Sequence, residues 1–447
     1  MAIDWFLERV AGWGEAVALV SNDHSLSYRE LAELVTTWRS RLEQAGVTPG
    51  SVVAIEGTFS PNTCAAFLAA AACGAVIAPL TPLMRAQRAG MLEVAEASLL
   101  VEIDEADVFA LQPLPAVVKN PLTLRLTERG NPGLVIFSSG STGTPKAILH
   151  DLAAILGKFR KIRQRKTTLT FLLFDHIGGV DTMLNTFASG GTMVTVRQRT
   201  PEFVASAIER HGVHTLPVSP SFLNLFLISG VWETSDLSSL KVIAYGTEPM
   251  PETTLKRLHE IFPEVSLVQT YGMSELGVLR SRSKSSDSLW IKFTGEEFQV
   301  RVVDGLLWIK ADTAMLGYLN APDLFDADGW LNTQDAVEVD GEYFRILGRA
   351  SDLINVGGQK VYPAEVEDVL LQLDNVRDAA VFGKSHPMLG QIVAARVSLA
   401  QPEALDVFKR RLHAFCRERL ARYQVPVSVE LVEAEEFGAR FKKRRHE

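Results

Sequence analysis

The sequence predicts a large α/β domain with layered, mostly parallel sheets and a β subdomain, followed by a small, mobile α+β domain. Three observations support this prediction. Short Val, Ile and Leu runs alternate with helical patterns over most of the chain. A pattern of predicted strands with Asp-Gly turns begins near residue 285, and a separate helix–strand–strand–helix pattern begins near residue 350. Because alternating strands and helices typically form parallel sheets covered by helices, we expect such sheets in the first and longest part.

The buried strands of the large domain are predicted from short apolar runs. In chain order these are VVAIEG (52–57), AVIAPL (75–80), GLVIFSS (133–139), GTMVTV (191–196), KVIAYGT (241–247) and SLVQTYG (266–272). Helical patterns lie between them, for example at 27–46 and 201–212. The apolar run at 64–80 is shorter than the roughly 20 strongly apolar residues of a membrane span. We therefore expect a buried helix followed by a short strand there, and no membrane span.

The later elements follow from two further stretches. EFQVRVVDGLLWIKA (297–311) and GWLNTQDAVEVDGEYFRILG (329–348) predict hairpins of the β subdomain. Beyond them the pattern predicts a helix at 363–376, strands at 378–384 and 392–400, and a helix at 403–423. We place the domain boundary so that residues 1–349 form the large domain and residues 350–447 the small one.

Composition and charge exclude several classes of protein. The chain has 447 residues and a formal net charge of -8, whereas proteins that bind nucleic acid usually present a basic face. Cys64, Cys73 and Cys416 have no metal-ligand spacing, and such a sparse set suits a reducing compartment. The start, MAIDWFLERV, lacks the basic and apolar regions of a signal peptide. We expect a cytoplasmic protein.

A loop rich in Gly, Ser and Thr, FSSGSTGTPK (137–146), follows one of the predicted strands. Free backbone N–H groups at such a position bind phosphates, and a lysine supplies a positive charge for them. The Walker A pattern is absent, because Lys146 follows a proline and no Ser or Thr follows it. The alternative is an ordinary polar turn.

This loop resembles the phosphate loop of the adenylate-forming superfamily, which includes acyl- and aryl-CoA ligases, adenylation domains of peptide synthetases and firefly luciferase. Other stretches resemble motifs of the same superfamily in the same order. They are 27–35, 49–82, AMLGYLN (314–320), YGMSELG (271–277) and the segment 333–367. The resemblance therefore covers almost the whole chain. It implies that a carboxylate attacks the α-phosphate of ATP, and that a thiol then takes the acyl group from the adenylate.

The resemblance also implies roles for individual residues. The ATP phosphates would be bound by Ser138, Ser139, Gly140, Ser141, Thr142, Gly143, Thr144 and Lys146. The AMP part would be bound by Gly246, Thr247, Glu248, Tyr271, Gly272, Met273, Ser274, Asp335 and Arg349. Tyr271 would stack on adenine, and Asp335 would accept hydrogen bonds from the ribose hydroxyls. Glu275 would be catalytic and would bind Mg²⁺, a hard cation that prefers oxygen ligands. Gln334 stands where the superfamily usually has glycine.

The acid would lie in a pocket that the resemblance assigns to His176, Gly179, Tyr245 and Gly272, with His176 also catalytic. Asp175 has an alternative reading as an anchor for a substrate ammonium group. The neighbouring segments, 171–179 and 242–250, carry few charges and favour an apolar or aromatic acid.

The small domain would supply groups for both half-reactions by rotating about a hinge at Ser351. Lys442 is the expected catalytic lysine, although Phe441 replaces the usual glycine, Lys443 is a rival, and a plain basic tail is the alternative. Gly357, Gly358 and Lys360 would line the thiol channel.

Together these features predict an ATP- and Mg²⁺-dependent ligase that converts a small carboxylic acid into a thioester, most simply of CoA. One alternative acceptor is the phosphopantetheine of an acyl carrier protein. A different class is a nucleotide-binding relative without catalysis, suggested by Phe441, Gln334 and Ser351. A conventional P-loop NTPase is disfavoured by the missing Walker A pattern.

Overall fold

The computed structural model describes residues 3–115, 120–138 and 145–433, and its α-helices lie in all three ranges. They are α1 (Asp4–Gly12), α2 (Tyr28–Gln44), α3 (Pro61–Ala72), α4 (Arg88–Val94), α5 (Pro121–Glu128), α6 (Leu152–Gly157), α7 (Ile177–Ala188), α8 (Pro201–His211), α9 (Pro220–Ser229), α10 (Glu252–Ile261), α11 (Pro363–Leu370) and α12 (Leu405–Arg417). Helix α2 begins with a capping box between Ser27 and Glu30, and Ser or Thr side chains cap α3, α8 and α9. Short 3₁₀ turns occupy Pro82–Gln87, Val231–Glu233 and Ala350–Asp352.

The strands of the described residues confirm every predicted apolar run as a strand. They are β1 (Val17–Ser21), β2 (His24–Ser27), β3 (Val52–Glu56), β4 (Val76–Leu80), β5 (Leu99–Ile103), β6 (Phe109–Pro113), β7 (Gly133–Ser138), β8 (Lys146–Asp151), β9 (Thr167–Thr170), β10 (Thr192–Thr195), β11 (Thr215–Val218), β12 (Val242–Tyr245), β13 (Ser266–Gln269), β14 (Tyr271–Met273), β15 (Gly277–Leu279), β16 (Ser281–Ser283), β17 (Trp290–Phe293), β18 (Phe298–Val303), β19 (Leu306–Ala311), β20 (Gly317–Tyr318), β21 (Leu331–Asp340), β22 (Tyr343–Arg349), β23 (Ile354–Val356), β24 (Gln359–Val361), β25 (Val376–His386), β26 (Gly390–Leu399) and β27 (Ser428–Leu431).

Two seven-stranded sheets form the large domain. The first has the order β20-β8-β7-β4-β3-β5-β6 and is parallel at its centre and antiparallel towards its edges. The second has the order β13-β12-β11-β9-β10-β1-β2 and is parallel except between β1 and β2. The predicted parallel arrangement is therefore confirmed for the second sheet, whereas the first is mixed.

The largest apolar core lies between these sheets and contains side chains from both, together with α1, α2, α3, α6 and α7. Every residue of α3 from Thr63 onward is buried, as its alanine-rich sequence predicts. Helices α8, α9 and α10 cover the opposite face of the second sheet, and α4 and α5 that of the first. Within the described residues, no helix combines the length and apolar character of a membrane span.

The predicted β subdomain is a six-stranded antiparallel sheet with the order β16-β17-β22-β21-β19-β18. The predicted small α+β unit follows it. Strands β24, β23, β26, β25 and β27 form its sheet, and α11 and α12 cover its core. Hydrogen bonds join this unit to the large one, since Asp368 accepts from Thr253, and Asn224 donates to the carbonyl oxygen of Arg377.

Candidate functional site

The carboxyl ends of β12 and β13 bring two of the predicted nucleotide-binding segments together. The strands are parallel neighbours, with Tyr245 opposite Gln269. The backbone N–H of Thr270 donates to the carbonyl oxygen of Tyr245 at 2.7 Å. A Cβ atom on Gly246 would lie 2.5 Å from Oγ1 of Thr270, so only glycine fits this close approach. Ligands of α/β folds gather at this edge of the sheet.

Thr247 and Glu248 continue the first of these segments. Thr247 has a φ of 75°, which is rare for a β-branched residue and is typical of strain kept at functional sites. Glu248 has a structural use, because its Oε1 accepts the N–H of Ser221 at 2.7 Å in the first turn of α9. Its predicted contact with the nucleotide stays a prediction.

The second segment leads to Asp335 and Arg349. The hydroxyl of Tyr271 donates to Oδ2 of Asp335 at 2.5 Å. Nε of Arg349 lies 3.7 Å from Oδ1 of the same carboxylate, and the two residues are paired across β21 and β22. Burial raises the pKa of Asp335, and it raises the pKa of Tyr271 as well. The Tyr271 ring packs edge-on against Phe293 at 5.4 Å, and its predicted stacking on adenine stays a prediction.

Gln334, the departure from the superfamily pattern, has a physical explanation. Its φ is 62°, in the left-handed region that favours glycine. Oδ1 of Asn332 accepts the backbone N–H of Gln334 at 2.9 Å, which stabilises this turn in the absence of glycine. The turn then holds Asp335, whose own N–H donates to Oγ1 of Thr333.

Glu275 and Lys146 meet at Tyr318, a residue that the sequence analysis did not assign to the site. The hydroxyl of Tyr318 donates to Oε1 of Glu275 at 2.8 Å. Nζ of Lys146 lies 5.2 Å from the centre of the Tyr318 ring, within the range of a cation–π contact. Strand β20 positions Tyr318 by pairing with β8, which begins at Lys146. The aromatic residue in AMLGYLN is the signal that could have indicated it.

The two ends of the glycine-rich loop are adjacent, because Ser138 at the end of β7 pairs with Lys146 at the start of β8. Asn320 anchors the second end, donating to the carbonyl oxygen of Pro145 and accepting from the N–H of Ala147, each at 3.0 Å. Between these ends, Ser139, Gly140, Ser141, Thr142, Gly143 and Thr144 lie outside the described residues.

Ser274 is held from β8 by a buried histidine that the sequence analysis overlooked. Nε2 of His150 donates to the carbonyl oxygen of Ser274 at 2.7 Å. Burial lowers the pKa of His150 to about 4, so the ring is neutral at pH 7. This contact fixes the backbone immediately before Glu275. Gly272 and Met273 lie on the preceding strand, β14, where a Cβ atom on Gly272 would lie 2.6 Å from the carbonyl oxygen of Gly277.

His176 caps helix α7. Its Nδ1 accepts the N–H of Gly178 at 3.1 Å. Gly179 is required for packing, since a Cβ atom there would lie 2.0 Å from the carbonyl oxygen of Leu173. Asp175 is buried and accepts a hydrogen bond from Thr81 at 3.1 Å. That partner fits a structural role for this carboxylate, whereas its alternative reading as an ammonium anchor stays untested.

A cavity of about 570 Å³ lies between α7 and the second sheet and reaches Gly246 and Thr247. Of the predicted acid-pocket residues, His176, Gly179, Tyr245 and Gly272 are absent from its walls, and Gly178 is the residue of that segment that lines it. Tyr245 packs instead in the apolar cluster on the opposite face of the sheet. Strand alternation explains this, because Ala244 faces the cavity and its neighbour must face away.

The cavity carries charged groups that the sequence analysis missed. Nζ of Lys158 forms a close ion pair with Asp181 and donates to the carbonyl oxygen of Val278 at 3.1 Å. The side chains of Lys158 and Asp181 are only 7% and 16% exposed. Arg280 pairs with Glu297 at 2.9 Å. The apolar lining expected from the neighbouring segments is therefore present only in part, for example at Leu172, Val218 and Val268.

The site fits a magnesium ion held mainly by its substrate. In the described part of the chain, no group of three or more His, Cys, Asp or Glu side chains could form a protein cage for a metal. Glu275 supplies one carboxylate beside Lys146. Because Mg²⁺ in nucleotide sites keeps several waters and binds one or two carboxylates plus phosphates, this donor set suits it.

The predicted groups of the small domain lie in the turn after β22, on the hairpin of β23 and β24, and outside the described residues. Gly357 and Gly358 form the turn between β23 and β24, both with positive φ, and Lys360 is exposed on β24. Ser351 lies in the exposed 3₁₀ turn after β22 and donates to Asp352. Lys442 and its rival Lys443 lie beyond residue 433, outside the described residues.

Comparisons with known proteins find relatives along almost the whole chain. A family model described as AMP-binding enzyme matches residues 6–319, and one described as AMP-binding enzyme C-terminal domain matches residues 365–437. A 3-[(3aS,4S,7aS)-7a-methyl-1,5-dioxo-octahydro-1H-inden-4-yl]propanoyl:CoA ligase of Rhodococcus jostii (strain RHA1) is 27% identical, over 94% of this chain and 93% of that protein. A 2-succinylbenzoate–CoA ligase of Bacillus cytotoxicus is 27% identical, over 95% and 94%.

Among solved structures, that of the anthranilate CoA ligase AuaEII in complex with anthranoyl-AMP superimposes with a TM-score of 0.81 and 21% identity. The match covers 96% of this chain and 93% of that one. At this identity the likeness shows the fold, which confirms a large α/β domain followed by a separate C-terminal domain.

Proposed function

This chain belongs to the family of AMP-binding enzymes, and on that premise we propose that it is an ATP-dependent ligase that activates a carboxylic acid as its adenylate and passes the acyl group to CoA. It is an enzyme of the AMP-forming acyl- or aryl-CoA synthetase type, in keeping with its relatives.

The observation that carries the proposal is the continuity of the cluster around Glu275. Lys146 and Glu275 share Tyr318, and the N–H of Met315 donates to the carbonyl oxygen of Glu275 at 2.7 Å. Asp335 lies in the same neighbourhood, bound to Tyr271. Binding ATP and forming its adenylate requires a cation for the phosphates, a carboxylate for the metal and a second carboxylate for the ribose hydroxyl groups.

In the first half-reaction, a carboxylate oxygen of the acid forms a bond to the α-phosphorus of ATP, and the bond to pyrophosphate breaks. The protein must hold two anions together, so its contribution is positioning and charge stabilisation. Lys146 neutralises the departing phosphates, Asp335 accepts from the ribose hydroxyls, and Lys442 bridges the carboxylate and the α-phosphate. Mg²⁺, when bound beside Glu275, offsets the charge of the pyrophosphate.

In the second half-reaction, a thiolate sulfur forms a bond to the acyl carbon, and the bond to AMP breaks. The adenylate stays in place while the small domain exchanges Lys442 for the turn at Gly357 and Gly358, with rotation near Ser351. Such closure around a short hinge is an ordinary way to separate two steps in one site. His176, at the start of α7, stands beside the cavity that would receive the acid.

The test is acid-dependent release of pyrophosphate from ATP, measured with and without CoA over a panel of aryl, alicyclic and fatty acids. Release that needs an acid and gives an acyl-CoA supports the proposal. Thioester formation only with a phosphopantetheinylated carrier protein would identify the alternative acceptor. ATP binding without release for any acid would favour a relative without catalysis, and orthophosphate release would contradict the proposed chemistry.

Single-residue variants test the proposed roles of the metal-binding carboxylate and of the catalytic lysine. Glu275→Gln is expected to lower the rate of pyrophosphate release by about a hundredfold or more, as losses of charge-stabilising groups do. Glu264→Gln, at the exposed turn before β13, is the matched control and should leave the rate unchanged. Lys442→Ala should abolish release, whereas Lys443→Ala should not; the reverse result would reassign the catalytic lysine.

A further inference from the structure

The cavity face of α7 is polar along its whole length. The residues that line the cavity from α7 and its C-cap follow the spacing i, i+3, i+4, i+7, i+8, i+11, and they are Gly178, Asp181, Thr182, Asn185, Thr186 and Ser189. The opposite face, with Val180, Met183, Leu184 and Phe187, is buried in the apolar core. This is the amphipathic pattern of a surface helix, with the polar side turned towards a cavity that opens to solvent.

Two polar atoms in the cavity walls have no partner. Oδ1 of Asn185 on α7 and Oγ1 of Thr215 on β11 are both buried, and neither makes a hydrogen bond within the described residues. Leaving a buried polar atom unpaired costs roughly 1–3 kcal/mol. A ligand or a bound water in the cavity would supply the missing partner. Thr168 on the neighbouring strand β9 adds a third hydroxyl group to this part of the cavity.

The charges beside the cavity leave two cations without an ion pair among the described residues. Four basic side chains of the wall, Lys158, Arg163, Lys166 and Arg280, stand with two carboxylates, Asp181 and Glu297. Lys158 pairs with Asp181 and Arg280 pairs with Glu297, so the positive charges of Arg163 and Lys166 remain. Arg163 is exposed, and its interactions with both carboxylates are electrostatic and longer than an ion pair. It therefore lies where the cavity opens to solvent.

We propose that the acid this enzyme activates is a dicarboxylic acid. One carboxylate reaches the nucleotide end of the cavity near Gly246 and reacts, and the second stays ionised against Arg163. Asn185 and Thr215 hydrogen-bond polar groups on the skeleton between them. The inference rests on the proposed function, because the cavity is an acid site only if an adenylate forms at its nucleotide end.

The physical reason is the charge left after the first step. The reacting carboxylate becomes part of a mixed anhydride, and a monocarboxylic acid then offers no anion to the cavity. A dicarboxylic acid still offers its second carboxylate, and the guanidinium of an arginine can donate two parallel hydrogen bonds to that group. An apolar tail, in contrast, would bury Asn185 and Thr215 against hydrocarbon without partners.

The experiment compares matched acids in the pyrophosphate-release assay. The pairs are octanoate with octanedioate, phenylacetate with 4-carboxyphenylacetate, and 4-phenylbutanoate with 4-(4-carboxyphenyl)butanoate. We expect a kcat/KM at least tenfold higher for the dicarboxylate in the best pair. Arg163→Gln should lower that value tenfold to a hundredfold and leave the monocarboxylate within about twofold.

Arg165→Gln is the matched control, because Arg165 lies two residues away, contacts the Trp13 ring and does not line the cavity. Arg165→Gln should leave kcat/KM unchanged for both acids of a pair. Asn185→Leu should raise kcat/KM for both members of each pair, since none of the six acids carries a hydrogen-bond donor on its skeleton and leucine suits both the helix and an apolar skeleton. Thermal midpoints and ATP binding of each variant show that it is folded.

Equal kcat/KM for both members of every pair, or equal losses in Arg163→Gln and Arg165→Gln, would overturn the dicarboxylate inference and leave the ligase proposal standing. Pyrophosphate release with none of the six acids, together with normal ATP binding, would count against the ligase proposal, and the inference would fall with it.

Discussion

At the scale of single residues, Tyr318 connects the two charged groups of the site. It donates to Glu275 through its hydroxyl and meets Lys146 through its ring. Burial, and then the charge of Glu275, raise the pKa of Tyr318, so the hydroxyl keeps its proton and remains a donor. One aromatic residue thus orients the carboxylate without neutralising the lysine.

Removing the Tyr318 hydroxyl should therefore affect catalysis more than stability. A hydrogen bond to a charged group is worth roughly 1.5–3 kcal/mol. We expect Tyr318→Phe to reduce kcat/KM for ATP in the pyrophosphate-release assay about tenfold, while the ring still contacts Lys146. Tyr343→Phe is the control, because Lys284 lies over the Tyr343 ring at the same 5.2 Å and Tyr343 begins strand β22 of the β subdomain. Equal effects of the two changes would contradict a specific role for Tyr318.

His150 predicts a pH dependence of stability. The folded pKa, about 4, is below the ordinary value of 6.5, so the unfolded chain binds a proton more readily. The stabilisation is fully present above pH 6.5 and is lost as the pH falls towards 4, by an amount on the order of a few kcal/mol. Urea midpoints measured from pH 7 to 5 should fall less steeply in His150→Asn than in the parent. The exposed His24, changed to Asn, should leave the slope as it is.

At the scale of elements, helix α7 performs three tasks at once. Its first turn carries the His176 cap, one face packs into the core, and the other face lines the cavity. A helix that is apolar all round could not line a polar cavity. In α7 the helical period places Val, Met, Leu and Phe on the core face and Asp, Thr, Asn and Ser on the cavity face.

The close approach of α7 to the preceding loop depends on Gly179. An added methyl group would lie 2.0 Å from a backbone oxygen of Leu173, which cannot move aside as a side chain could. We expect Gly179→Ala to destabilise the protein by about 1–3 kcal/mol, measured as a lower urea midpoint. Gly12→Ala, at the end of α1 with no heavy atom within 4 Å of the new methyl group, should be neutral or slightly stabilising. A neutral result at Gly179 would show that the loop adapts freely.

At the scale of the whole molecule, a few polar contacts hold the small unit against the large one. Oδ1 of Asp368 accepts from both the N–H and the hydroxyl of Thr253, at 2.9 and 2.8 Å, at the start of α10. These bonds must break if the small domain rotates between half-reactions. Hydrogen bonds of this kind are expected of an interface between domains that opens.

Weakening this interface should favour the undocked arrangement. We expect Asp368→Ala to increase the rate of limited proteolysis between residues 349 and 353 several-fold, without lowering the thermal midpoint of the large domain. Asp374→Ala removes the same charge from an exposed position of the same unit and should leave proteolysis unchanged. An unchanged rate in both variants would contradict a hinge at Ser351.

By itself, the sequence determined the fold class and the order of the elements, and it predicted the segments of the nucleotide site. These follow from local signals: apolar runs with the period of a strand or helix, and motifs whose residues are adjacent in the chain, such as 137–146 and 271–277. The family models confirm the resemblance that these motifs indicated.

Only the tertiary structure decided which side chains share a surface. Strand pairing brings Tyr318, His150 and Asn320 to the site. The packing of α6 against α7 brings Lys158 to Asp181. The resemblance assigned Tyr245 to the acid pocket, which stays a prediction, and strand β12 places its ring in the apolar cluster on the face of the sheet opposite the cavity. A cavity is formed by residues distant in sequence, and its polarity depends on which face of each element it meets. Neighbouring sequence composition averages both faces, so it predicted an apolar lining where the structure has a partly charged one.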